Sequence, residues 1–371
     1  MKNNCFRIIK PIVFFTIILS LTDCTPDDKK KTSPENQFDR TKLLSQASEQ
    51  IIIPAYQDFQ KEVTALDANI NDFLNNPTIE FLEKSKTQWI KTALSWQSCN
   101  AFNFGPAKNF NFGSLLENIG TFPASSTKIE NYCSTNDASL KNFNRDSRGL
   151  FGIEYLLYEE NALQQFDKSN TSNVGRINYL KAISNDVKSQ ATKMVDEWKT
   201  YKNEFNTDNG TSSSSAITLY YNSFLICYEN LKNFKIGIPS GKRAGQTSAM
   251  PQQAEGYYSV ISMKLIKVNF ESIIRIWKGI SLSNIDGIGF EEYIRSVEGG
   301  VSLANNTSSQ LQIIADKIKE LENEDLEKLI NSNDNRLNEL YILLTNTTRY
   351  IKADLSSLLG LTITYSSGDG D

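Results

Sequence analysis

One run of residues constrains the fold more than any other. Tyr56, Phe59, Val63, Leu66, Ile70 and Phe73 recur at steps of three and four. That is the period of a long α-helix with one apolar face. Leu43, Ala47 and Ile51 begin the same stripe, and Pro54 interrupts it, which predicts a kink where the helix continues. Asn75-Asn76-Pro77 ends the helix and Thr78 opens the next. In that second helix Leu82, Trp89, Ala93 and Trp96 lie near one face, which predicts that both tryptophans pack in a core.

The pattern continues through the chain. Ile177 to Phe205, Ala216 to Phe234 and Tyr257 to Trp277 read as helices, the last mostly apolar and buried on several sides. Leu311, Ile314, Ile318 and Leu321 form a further stripe, as do Leu337, Leu340, Tyr341 and Leu344, with Ile351, Leu355 and Leu358 last. Ala101 to Pro123 mixes five phenylalanines with glycine and proline and reads as an ordered loop packed on the helices. Residues 235–241 form a break, and the chain stays loop-like to Pro251. Asn206 to Ser215 is poor in apolar residues and marks the best boundary. The chain has 371 residues, enough for about two domains and a real core. The reading is all-α, divided into residues 38–205 and 216–371.

Residues 1–23 read as a leader. Lys2, Arg7 and Lys10 precede an apolar run from Pro11 to Leu21 that is too short for a mature membrane-spanning helix. The run ends at Cys24, which resembles a bacterial lipoprotein processing site, although Asp23 stands where a small residue is expected. An uncleaved signal anchor is the alternative. Residues 24–37 are polar and read as a flexible tether. Without Lys2, Arg7, Lys10 and Asp23 the basic residues number 36 and the acidic 42, a net charge of −6. That balance argues against nucleic acid as a partner. Beyond Cys5 and Cys24 the cysteines are Cys99, Cys133 and Cys227. An odd number allows at most one disulfide, and Cys99–Cys133 and three buried thiols are both open. The chain contains no histidine, so a zinc site built from nitrogen and sulfur donors is improbable and no Ser/His/Asp triad exists.

The segment Arg148 to Tyr158 starts after the cap-type residues Asp146 and Ser147. Phe151 and Glu154 share a helix face, and Ile153, Leu156 and Leu157 form a core stripe. Glu154 is then either at the edge of that stripe or buried with a partner. Arg148 lies six residues away and points elsewhere on one helix, so a buried Glu154 needs its partner from another helix.

Gly149-Leu150-Phe151-Gly152-Ile153-Glu154 resembles the Gly-x-His-x-x-Glu signature of the imelysin-like family, grouped as peptidase M75. Phe104-Gly105-Pro106-Ala107, Phe122-Pro123 with Ile129, Gly237-Ile238-Pro239-Ser240-Gly241 followed by Glu255 and Tyr258, and the terminal Asp369-Gly370-Asp371 are similar to further family segments, in the same order. The resemblance implies two packed helical-bundle domains with a pocket between them near the signature. It also implies either a peptidase or an envelope protein tied to iron uptake.

The histidine position is Phe151, whose ring neither ligates a metal nor carries a proton. An oxygen-only site remains open, with Glu117, Glu130, Glu154, Glu255 and tyrosines as candidates for a hard ion, but their spacing selects no set. No cofactor is named by the sequence. The expected protein is therefore a non-catalytic lipoprotein of the bacterial envelope, at the outer membrane. It binds a small ligand or protein partner in iron or nutrient acquisition, with Arg148, Gly149, Phe151 and Glu154 at its binding site. The alternative is a metal-dependent hydrolase with an oxygen-ligand site.

Overall fold

The proline at position 54 shapes the first helices. Helix α1 (Arg40–Gln46) is capped by Asp39, whose carboxylate accepts from the Lys42 N–H at 3.3 Å. It widens into a π-helical turn, Ala47–Ile52, before α2 (Ile53–Asn75) resumes the normal pitch. Pro54 has no N–H for the carbonyl of Gln50, and its ring crowds that carbonyl. The backbone N–H of Leu282 takes over the Gln50 carbonyl at 3.0 Å. The expected kink is thus a widened turn that also anchors a distant loop.

The computed structural model describes residues 38–108, 113–141 and 144–364. The leader, Cys24, the tether and the terminal Asp-Gly-Asp lie outside them. Thr78 caps α3 (Ile79–Cys99), accepting from the Phe81 N–H at 3.4 Å. The short helices α4 (Leu115–Gly120), α5 (Ser126–Ser134), α6 (Gly149–Tyr158) and α7 (Ala162–Gln165) follow. The long α8 (Val174–Thr207) packs along α2, α5 and α6, while α2 and α3 pair.

Beyond the Asn206–Ser215 turn, α9 (Ala216–Asn230) runs into a π-helical turn, Leu231–Gly237. Helix α10 (Ser262–Lys278) lies on α3, α11 (Phe290–Arg295) leads to α12 (Gly300–Leu321), and α13 (Leu326–Asn331) precedes α14 (Asn335–Arg349). A last π-helical turn, Tyr350–Asp354, ends in α15 (Leu355–Leu359). No β-strand occurs among the described residues, so the all-α expectation holds. Residues on both sides of the Asn206–Ser215 turn enter one apolar cluster. Trp89 and Trp96 are fully buried in it, as expected, together with Trp198 and Trp277.

Residues 257–261 are not helical, and this is the main correction to the pattern reading. Helix α10 begins only at Ser262. Gly256 takes φ +73° and Val260 φ +58°, both in the left-handed region that ends a helix. Tyr257, Tyr258 and Val260 gave the segment an apolar, helix-like composition, yet it folds as a turn. Helix α10 is buried on several sides, as expected, and on its outer side Lys267 pairs with Glu271 and Glu322.

Cys99, Cys133 and Cys227 are free and buried, which decides between the two open thiol readings. Burial pushes the Cys133 thiol up to about 12 and the Cys227 thiol up to about 11. All three should therefore resist labelling in the native protein and react once it is denatured without reductant. Finding a single reactive thiol among them would show a disulfide.

Candidate functional site

The signature helix α6 starts against the end of α4. Gly149 has φ +71°, and a Cβ there would sit 2.5 Å from the Ile119 carbonyl oxygen. Only glycine combines that conformation with that approach. Arg148 precedes it, 5% exposed, and donates to the Leu140 carbonyl and to Asn118 Oδ1, each at 3.3 Å. The α6 backbone is fixed from two sides: Trp89 Nε1 donates to the Leu150 carbonyl and the Tyr179 hydroxyl to the Ser147 carbonyl, both at 2.8 Å.

Phe151 occupies the histidine position as a core residue. Its ring packs edge-on against Trp89 at 6.2 Å and Phe122 at 5.7 Å between centroids. One turn on, Glu154 is 2% exposed, so it is buried with a partner rather than at the edge of the stripe. Its Oε1 accepts from the Ser259 N–H at 2.9 Å and from the Ser259 hydroxyl at 2.6 Å. The partner comes from a distant part of the chain, as expected, but from the 256–261 turn rather than from a helix. Arg148 points elsewhere, also as expected.

That same turn carries Glu255 into a second buried cluster. Lys235 pairs with Glu255 Oε2 and donates to Gln97 Oε1 at 2.7 Å, while Gln97 Nε2 donates to Glu255 Oε1 at 3.0 Å. The three side chains close a ring in which every charge is answered. The Lys235 ammonium also lies 5.6 Å from the centre of the Phe122 ring. Asn100 continues the network, donating to Gln97 Oε1 and accepting from Asn269 Nδ2, both at 2.9 Å.

This cluster forms part of the wall of a cavity of about 480 Å³. Trp96, Phe104 and Phe122 supply aromatic surface, and Lys235, Glu255 and Asn269 supply polar surface. Trp96 Nε1 and Asn269 Oδ1 are buried without a hydrogen-bond partner among the described residues. The four residues singled out from the signature, Arg148, Gly149, Phe151 and Glu154, are not among those lining this cavity. Phe151 touches it only through Phe122, and Glu154 only through the turn it shares with Glu255. Gln97, Lys235 and Ser259 were not legible as site residues. A lysine between Phe234 and Ile236 was a faint signal for a buried cation; the other two left none.

The oxygen-ligand candidates do not converge. Glu117 closes a capping box with Ser114 and pairs with Arg145, Glu130 pairs with Arg176 and accepts from the Tyr155 hydroxyl, Glu255 pairs with Lys235, and Glu154 bonds Ser259. No three Asp, Glu or Cys side chains form a group suited to a metal among the described residues. The donor set does not fit the metal that the signature implies.

Fold and site define an all-helical protein whose signature helix braces the turn that walls an aromatic cavity. The chain belongs to the imelysin family, whose model (Peptidase_M75: Imelysin) matches residues 52–348. It is 24% identical over 152 residues to iron-regulated protein A of Synechococcus elongatus, across 41% of this chain and 38% of that protein. The match therefore spans well under half of that relative's length. Two solved structures share the fold. One is described as an iron-regulated protein A precursor from Parabacteroides distasonis (TM-score 0.68, 16% identity, 86% of this chain and 94% of that one). The other is an imelysin-like protein from Psychrobacter arcticus (TM-score 0.68, 19% identity, 88% and 98%).

Burial raises the Glu154 carboxyl from about 4.5 to about 7, against the lowering effect of the Ser259 bonds, and the nearby Glu255 adds to the rise. Between those two pH values the folded chain keeps a proton that the unfolded chain has lost. Stability contributed by this group is therefore full below pH 4.5 and falls as pH rises to about 7, by on the order of 3 kcal/mol. Glu154→Gln keeps the acceptor and removes the charge. Its melting temperature, relative to wild type, should rise between pH 4.5 and pH 8. Parallel melting curves across that range would show that Glu154 is not buried as an acid.

Proposed function

We propose that this protein is a lipid-anchored component of the bacterial envelope that binds an organic ligand in iron or nutrient acquisition, without metallopeptidase chemistry. One observation carries the reading: Phe151 is locked between Trp89 and Phe122 while Glu154 is committed to Ser259. The two signature positions that would hold and activate a metal are thus used for packing and for bracing a turn. A peptidase would need a bound water polarised by a metal or by a general base in a cleft. Glu154 has no such opening.

The cavity supports the binding half of the proposal. Its size suits a small organic molecule, and its aromatic wall offers apolar contact. Among the charged lining residues Lys235 pairs with Glu255 and Glu117 with Arg145, while Lys108 is exposed, so the buried wall favours an uncharged or weakly polar group. Trp96 Nε1 as donor and Asn269 Oδ1 as acceptor are the groups such a ligand would satisfy. The link to iron rests on the names of relatives, iron-regulated protein A above all. The anchor rests on the apolar run ending at Cys24.

Two measurements test the reading. Calorimetric titration of the wild type with zinc and with ferric iron should show no tight site; tight binding abolished by Glu154→Gln would revive the hydrolase. Metabolic acyl labelling should be lost in Cys24→Ala, with the protein moving to the soluble or uncleaved fraction. Unchanged labelling would refute the anchor.

A further inference from the structure

A second cavity, of about 400 Å³, shares no lining residue with the first. Arg148 lines it, with Asn118, Lys141, Asn185, Asp186 and Gln190. Arg148 is 5% exposed, and its guanidinium carries five N–H donors and no acceptor. Its acceptors, Asn118 Oδ1 and the Leu140 carbonyl, are neutral and at 3.3 Å. Its Nε has no partner among the described residues. A buried guanidinium normally faces a carboxylate or phosphate in fork geometry, because leaving it half-bonded is costly.

On the same cavity stands the opposite charge. Asp186 feels Arg148 electrostatically, yet its hydrogen bond goes to Gln190 Nε2, at 2.7 Å. Gln190 is 4% exposed, and its Oε1 has no partner among the described residues. Around the cavity therefore stand a cationic donor and a neutral acceptor, both buried and without a partner among the described residues, and a carboxylate. A bare anion would answer Arg148 and Lys141 but leave Asp186 and Gln190 Oε1 unanswered, and a bare cation would leave Arg148 unanswered and meet the repulsion of Arg148 and Lys141. A molecule carrying both charges a few bonds apart satisfies all three groups.

We propose that this cavity binds a small zwitterion of the α-amino-acid type, its carboxylate on Arg148 and its ammonium on Asp186 and Gln190 Oε1. Arg148 then recognises ligand directly, at a site separate from the aromatic cavity. Because the two cavities share no lining residue, failure of either assignment leaves the other standing.

The test is calorimetric titration of the dialysed mature chain with individual free amino acids, and with acetate, methylamine and inorganic phosphate. At least one amino acid should bind one-to-one, and the single-charge probes about tenfold or more weaker. Asp186→Asn should weaken the amino acid about tenfold while leaving acetate no weaker. Arg148 precedes the signature helix, so Arg148→Lys carries a folding risk; Gln190→Met, away from that helix start, serves as the second variant and should also weaken binding. No binding by any amino acid, acetate or phosphate binding as tightly as the best amino acid, or an Asp186→Asn variant with wild-type affinity would each overturn the proposal.

Discussion

A carboxyl group removed from water and answered by the Tyr258–Ser259 turn rather than by a cation organises this protein. Glu154 lies on the signature helix, and Ser259 lies on a turn more than a hundred residues away in sequence. Two hydrogen bonds from Ser259 offset part of the cost of burial, and no cation enters among the influences on Glu154. The turn is short and irregular, with Gly256 and Val260 both in the left-handed region. Such a turn holds one conformation only when something outside it fixes it. Glu154 is one such fixture and Tyr155, packed edge-on against Tyr258, is another, so Glu255 on the same piece of chain is set into the cavity wall.

The ring formed by Lys235, Glu255 and Gln97 is the other half of the arrangement. A buried ion pair adds little to stability by itself, but removing one partner typically costs about 3–5 kcal/mol. The ring joins α3, the π-helical turn after α9 and the turn before α10. Phe122 connects it to the signature, touching Phe151 on one side and the Lys235 ammonium on the other. A phenylalanine in place of the family's histidine therefore has a structural consequence: the aromatic core runs unbroken from Trp89 through Phe151 to the cavity.

The regular elements were legible because their signals are local. The stripe from Tyr56 to Phe73 became α2, Thr78 capped α3, and the family resemblance predicted the helical fold. What stayed hidden depends on contacts across long stretches of chain. Ser259 has no mark of its own, and Gln97 and Lys235 meet only once α3 and the segment after α9 pack together. The same holds for Pro54, whose proline signal was plain but whose freed Gln50 carbonyl is claimed by Leu282. Residues 257–261 were misread because aromatic and branched residues suit a buried helix and a half-buried turn alike, and the two left-handed residues, Gly256 and Val260, decide between them.

The central claim is that the signature glutamate has become an internal brace rather than a metal ligand. Isotope-edited infrared or carbon NMR titration of the Glu154 carboxyl, with and without zinc or ferric iron, tests it most directly. The account predicts an apparent pKa near 7 that metal does not move. A value at or below that of a free glutamate, or one that drops when metal is added, would contradict it.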